Sequence, residues 1–267
     1  MGAARADRRH WDERIADVLT CADNGRLQRV VDAGEIVGGF QVMHNGLKVI
    51  VNGYYGDGIT RMLAANRGCH EPQEEVVFDA IVRTLPAGAV MVEAGAYWGF
   101  YSMWFCQAIP QAKVYLIEPA AENLEIGQRN FQKNGCHGDF THAYVGAQAG
   151  RHADGTRIVS TESFLMEKGL THLDVLHADV QGCEMEMLCG SHSLFVGHAI
   201  DYVFLSTHTM ELHAQCVDFF RACGYRVLVS VDLNETHSLD GVLVVCSPLL
   251  KPPDFAPISK KPKRRIT

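Results

Sequence analysis

Short apolar runs at residues 90–92, 114–117, 140–145, 173–178 and 202–205 read as strands, and segments with helical spacing lie among them. Residues 74–85 put Val77, Ile81 and Leu85 on one stripe, and 122–133 do the same with Leu124, Gly127 and Phe131. Residues 209–223 place Leu212, Cys216, Phe219, Phe220 and Cys223 on one face. Residues 100–109 suit a buried helix that Pro110 stops. Strands alternating with helices predict a parallel sheet covered on both faces. The last two runs, 225–231 and 242–246, predict an antiparallel pair at the sheet edge.

Ahead of this alternation, residues 5–32 read as a charged helical cap with Ile15, Val18, Leu19 and Leu27 on one side. Runs at 40–43 and 47–51 flank His44-Asn45-Gly46, and Asn-Gly between apolar runs predicts a hairpin. Gly53-Tyr54-Tyr55-Gly56-Asp57-Gly58 reads as a loop. After Lys251, prolines and the basic run 260–265 predict a disordered tail. The expected division is a cap and lid at 1–69, an α/β domain at 70–250 and the tail at 251–267.

Residues 91–119 carry the most chemistry. A strand runs into Glu93-Ala94-Gly95-Ala96-Tyr97-Trp98-Gly99, a helix follows, and the next strand ends on Glu118. A glycine turn outside one strand and an acid at the end of the next is how an α/β sheet holds an adenosine-bearing ligand. The carboxylate accepts hydrogen bonds from ribose hydroxyls and would repel a 2′-phosphate. The dinucleotide fingerprint G-x-G-x-x-G is broken, because Tyr97 stands at its second glycine, and no G-x-x-x-x-G-K-[ST] occurs. Glu93 disfavours phosphate and favours an ammonium or sulfonium cation. S-adenosylmethionine carries both.

The chain resembles the FkbM family of S-adenosylmethionine-dependent methyltransferases. The resemblance rests on HEPQEEVVFDAI at 70–81, VEAGAYWGFYS at 92–102, LIEPAAENLEIGQRNFQKNG at 116–135, AYVGAQAG at 143–150, LDVLHADVQGCEMEML at 173–188 and DFFRACGYRV at 218–227. It implies a class I, Rossmann-like methyltransferase fold. That fold is a seven-strand, mostly parallel sheet with an antiparallel edge hairpin, here with an N-terminal helix and hairpin added. It implies O-methylation of a small molecule or sugar, with a peptide amide nitrogen as the rival acceptor. The chain departs from the family's pattern at Tyr97-Trp98, where many members carry Asn and a small apolar residue. It departs again at FLSTH (204–208), where many have an acid two residues before the histidine.

The expected cofactor contacts are Glu93, Gly95, Ala96, Tyr97, Trp98, Gly99, Glu118, Asn123 and Asp179, with Tyr144 and Val145 meeting the adenine as the resemblance implies. Methyl transfer needs positioning, a dry site and, for an alcohol, a nearby base. Strand four ends Asp179-Val180-Gln181-Gly182-Cys183-Glu184 and strand five ends on His208. Asp179, His208 and Glu184 are therefore the catalytic candidates, His208 as the base and Glu184 also as a helix N-terminal acid. Tyr54, Tyr55, Arg61 and Gln181 are the acceptor contacts. No paired ligand spacing predicts a metal. A nicotinamide-dependent oxidoreductase and a non-catalytic nucleoside-binding module are the alternatives outside this class.

With 47% hydrophobic and 21% charged residues, the composition is that of an ordinary globular chain. A net charge of −7 argues against a nucleic-acid partner. No apolar run reaches the roughly 20 residues a membrane span needs. Nine cysteines without a C-x-x-C pair argue for a reducing, cytoplasmic setting rather than a disulfide framework.

Overall fold

The computed structural model describes residues 2–262. Helix α1 (Gly2–Leu19) is shorter than the predicted cap. It ends where Asn24 and Thr20 donate side-chain hydrogen bonds to the carbonyls of Val18 and Asp17 (both 2.7 Å), and a 3-10 turn, Ala22–Gly25, follows. A small antiparallel sheet of β1 (Ile36–Val37), β2 (Phe40–Val42) and β3 (Lys48–Ile50) contains the predicted Asn-Gly hairpin. The glycine-rich stretch expected to be a loop becomes helical at α2 (Asp57–Ala65). Gly56 turns the chain at a φ of 66°, and Ile59, Met62 and Leu63 then fall on one buried face.

Next come α3 (Pro72–Val82), β4 (Val90–Ala94), α4 (Phe100–Ala108), β5 (Lys113–Glu118) and α5 (Ala121–Asn134). The run predicted as one strand at 140–145 divides into β6 (Asp139–His142) and β7 (Tyr144–Val145). Of these, β6 joins the main sheet, whereas β7 pairs with β9 (Arg157–Val159), which also pairs with β8 (Gly150–Arg151). The remainder is α6 (Thr161–Glu167), β10 (Leu173–Ala178), α7 (Glu184–Cys189), α8 (His192–Val196), β11 (Ile200–Thr207), α9 (Met210–Ala222), β12 (Arg226–Val231) and β13 (Gly241–Cys246).

The main sheet has seven strands in the order β12-β13-β11-β10-β4-β5-β6. β13 runs antiparallel to both its neighbours, and the pairings from β11 across to β6 are parallel. This is the predicted Rossmann-like, mostly parallel sheet with its antiparallel edge hairpin. Both faces are buried, so β11 has no polar alternation: Tyr202 and Phe204 join one core with Phe78, Phe100 and Trp104. Val203 and Leu205 join the other with Phe164, Phe195 and Phe220. The order reverses between β4 and β10, which opens a crevice at the carboxyl ends of those strands.

The predicted disordered tail is corrected over its described part. Residues 251–262 lie against the body, where Asp23 Oδ2 accepts from the Ser259 N–H (2.7 Å) and hydroxyl (2.6 Å). Gln73 donates to the Ser259 carbonyl at 2.7 Å, Lys260 pairs with Glu235 at 2.7 Å and Lys261 with Asp17 at 2.8 Å. The end of the basic run, within 263–267, lies outside the described residues. Among the described residues no helix is long and apolar enough to cross a membrane.

Candidate active site

The turn after β4 is shaped by two glycines with different tasks. Gly95 has a φ of 74°, and a Cβ built on it would meet the Asp179 carbonyl oxygen at 1.8 Å, so only glycine lets β4 and β10 loops approach this closely. Gly99, at a φ of 72°, faces the Phe131 ring, which a Cβ would meet at 2.8 Å. Its role is packing of the turn on α5. The turn consumes its own donors: the N–H groups of Gly95 and Ala96 go to the Ile117 carbonyl, and that of Gly99 to Ala96. Tyr97, at a φ of 43°, gives its N–H to Glu118 Oε2 (3.1 Å). Glu118 Oε1 accepts from the Ala120 N–H (3.0 Å) and the Asn123 amide (3.1 Å), so the carboxylate at the end of β5 is held by three donors.

Beside this carboxylate lies a crevice of about 540 Å³. The expected contacts Gly95, Tyr97, Glu118, Asn123, Tyr144, Val145 and Asp179 all line it, with Gln181. Its charged lining residues are acids, and no Lys, Arg or His is among them. Tyr55, Tyr97 and Gln181 line it too, and each holds a positive φ (43°, 43° and 51°), a costly conformation concentrated around one opening.

Four expected cofactor contacts do not line this crevice. Glu93 is buried, and its Oε2 accepts from the Ser102 N–H at 3.1 Å, inside the first turn of α4. Burial pushes this carboxyl up despite nearby His177 and that N–H. Ala96 is buried in the turn, and Trp98 is buried against Tyr54, stacked at 4.4 Å between ring centres. Gly99 serves the packing just described.

A second cavity of about 370 Å³ adjoins the first, and Tyr54, Tyr55, Asp179 and Gln181 line both. Its far walls are His10, Trp11 and Arg14 of α1, His70 and Glu71 before α3, and Leu239-Asp240 before β13. The sequence assigned none of these to the site, because they come from segments up to 230 residues apart. The buried HEPQEE segment was the one signal: such a density of acids in an apolar setting asks for partners. Glu71 accepts from the Tyr101 hydroxyl (2.9 Å), and His70 lies between Glu71 (3.2 Å) and Glu75 (2.7 Å). Burial pulls His70 down, the two carboxylates outweigh it, and its pKa is pushed up to about 10. Arg61, expected to touch the acceptor, instead pairs with Asp12 (2.6 Å) and Asp57 (3.0 Å) and lines neither cavity.

Behind Asp179 and Asp240, and lining neither cavity itself, His208 sits among three carboxylates. Its Nδ1 faces Glu184 Oε1 at 2.5 Å, and its Nε2 lies 3.2 Å from Asp179 Oδ1 and 3.5 Å from Asp240 Oδ1. Burial opposes the charge, but Asp179 and Glu184 outweigh it, and the pKa of His208 is pushed up to about 10. Three surrounding carboxylates favour the imidazolium, which opposes the base role expected for His208. Glu184 is fully buried at the start of α7, accepts from the Gly182 N–H (3.1 Å) and lines neither cavity. It orients His208. Asp179 receives a hydrogen bond from the Gln181 amide at 2.8 Å. Asp240 is pushed up to about 7 by burial and by the negative charge of Asp179.

No family model matches the chain, and no curated protein matches it by sequence. Solved structures are similar in fold. A precorrin-6y C5,15-methyltransferase from Geobacter metallireducens is 15% identical, over 64% of this chain and 86% of its own, at a TM-score of 0.46. TrmK from M. capricolum, solved with S-adenosyl-homocysteine, is 12% identical over 67% of this chain and 70% of its own, at 0.45. A ribosomal protein L11 methylase from Lactobacillus delbrueckii is 10% identical over 65% and 76%, also at 0.45.

Proposed function

We propose that this protein is an S-adenosylmethionine-dependent methyltransferase of the FkbM kind, acting on a hydroxyl of a small molecule or sugar. The observation that carries the reading is the crevice wall, which offers carboxylates and no cation beside a glycine turn in which the N–H groups of Gly95, Ala96, Tyr97 and Gly99 are already spent. A diphosphate would meet no N–H cradle there and would face Glu118 and Asp179. A nucleoside with a positively charged far end suits the same wall. Ala143, Val145 and Val180 supply apolar surface for its base, and Glu118 Oε2 retains a lone pair for a ribose hydroxyl.

The bound donor supplies an already activated methyl group. The chain's work is to orient an acceptor across the seam, keep water out and hold the acceptor's proton. Asp179 belongs to both cavities, so its carboxylate is the group that meets donor and acceptor alike. The aromatic edges of Trp11, Tyr54 and Tyr55 suit a ring-shaped acceptor with polar substituents.

Calorimetry with S-adenosylhomocysteine and with NAD tests the donor. Binding of the first alone is expected, and a preference for NAD would overturn the reading. Labelled-methyl transfer to a panel of alcohols, sugars and peptides then tests the acceptor. Incorporation confined to peptide nitrogen would displace the hydroxyl part of the proposal and leave the donor part standing.

A further inference from the structure

We propose that Asp179, His208 and Asp240 form a binding site for a hard divalent cation of the magnesium or manganese kind, on the side of the second cavity that Asp179 and Asp240 line. One ligand atom from each of the three lies within 4.8 Å of the others. The residues come from three separate strand-end loops, after β10, after β11 and before β13, so no sequence spacing announces them.

The arrangement around His208 points to a ligand rather than to a finished ion pair. Its Nε2 is sealed from solvent yet has no aligned hydrogen bond, although two carboxylate oxygens stand 3.2 and 3.5 Å away. The opposite nitrogen is anchored on Glu184, itself fully buried and braced by the Gly182 N–H. A carboxylate behind the imidazole is how proteins fix a metal-binding histidine, aiming the other nitrogen at the ion. Ligand bonds of about 2.1 Å at right angles put neighbouring donor atoms about 3 Å apart. The Nε2–carboxylate distances are close to that.

Two carboxylates and one imidazole make a mostly oxygen set, which suits magnesium or manganese. Three protein ligands leave positions for water or an acceptor oxygen, which the second cavity, lined by Asp179 and Asp240, would supply. The ion takes the place that the Nε2 proton holds in the ion-free chain. A second cluster, His172-Asp174-Asp201, lacks this design, because Asp174 already accepts from the Val90 N–H at 2.7 Å and His172 is exposed. The further consequence, that the ion would hold an acceptor oxygen and ease loss of its proton, rests on the methyltransferase reading.

The test uses the full chain with no methyl donor present. Manganese is titrated and the free-ion paramagnetic resonance signal is followed, for the wild type, Asp240→Asn, His208→Gln and Glu184→Gln. One ion per chain is expected, displaced by excess magnesium. Asp240→Asn and His208→Gln should each weaken binding at least tenfold, and Glu184→Gln by less. Circular dichroism checks that each variant is folded, and Asp240→Asn is near-isosteric. A folded wild type that takes up manganese no more tightly than folded Asp240→Asn would overturn the proposal. Because no donor is present, failure of the S-adenosylhomocysteine experiment leaves this outcome unaffected, and the reverse holds too.

Discussion

The carbonyl of Asp179 occupies the space into which a side chain on Gly95 would grow, 1.8 Å from the built Cβ. Through that contact the turn that bounds the first crevice and the loop that bears Asp179 are one unit. Gly95→Ala must either move Asp179 or abandon its left-handed backbone. It is expected to weaken S-adenosylhomocysteine binding at least tenfold and to destabilise the fold by about 1–3 kcal/mol. Gly182→Ala is the control, since Gly182 has a positive φ (94°) but nothing within 4 Å of a built Cβ. It should cost only about 1 kcal/mol. Urea unfolding and calorimetry of the two variants check the contrast, and equal effects would remove the contact's importance.

Glu118→Gln keeps the shape of the side chain but loses its charge and one acceptor. S-adenosylhomocysteine affinity should fall by about 1.5–3 kcal/mol, the scale of a hydrogen bond to a charged group. Unchanged calorimetric affinity would mean that the ribose is not held there.

Asp179→Asn should separate turnover from donor binding. Methyl transfer is expected to drop about a hundredfold or more, the usual contribution of a positioned proton acceptor. Affinity for the donor analogue should stay within a few-fold. A fully active variant would take Asp179 out of the chemistry.

Arg61→Ala should change little, because its pairs with Asp12 and Asp57 lie at the surface. A loss of no more than about 0.5 kcal/mol in unfolding and an unaltered KM are expected. A large rise in KM would restore Arg61 to the acceptor site.

Stability should decline as pH rises from 6.5 to 8.5. The folded pKa of His70, about 10, lies above the unfolded value near 6.5. Its contribution is complete below the unfolded value and is lost as pH climbs toward 10. His208 has the same sign and adds to the slope. Urea unfolding across that range should give a shallower slope for His70→Gln than for the wild type, and equal slopes would refute the buried ion-pair account.

What the sequence made legible was what neighbouring residues determine together. Gly95, Tyr97 and Glu118 belong to one strand-turn-helix-strand unit, so their positions followed from local turn chemistry and strand ends. Glu93 misled because a strand's pleat sends alternate side chains to opposite faces, and its own goes toward Ser102 rather than into the crevice. His208 misled for a different reason. A strand-end histidine looks like a base until its neighbours are known, and Glu184 and Asp240 reach it from a one-turn helix start and an irregular loop. The second cavity was illegible for the same cause, since α1 meets residues 239–240 only through tertiary packing. The tail looked disordered by composition, and its described part is held by tertiary contacts that composition does not show, among them the buried Asp23, whose partner is a serine 236 residues away.

Tyr54, Tyr55, Asp179 and Gln181 are a party wall, with a chamber on each side. An occupant of one chamber that shifts any of these side chains changes the wall the other chamber presents, and any such coupling acts on both affinities equally and in the same sense. Enlarging the acceptor's room by trimming either tyrosine therefore also alters the donor's seat, and selectivity for one guest cannot be re-engineered here without retuning the hold on the other.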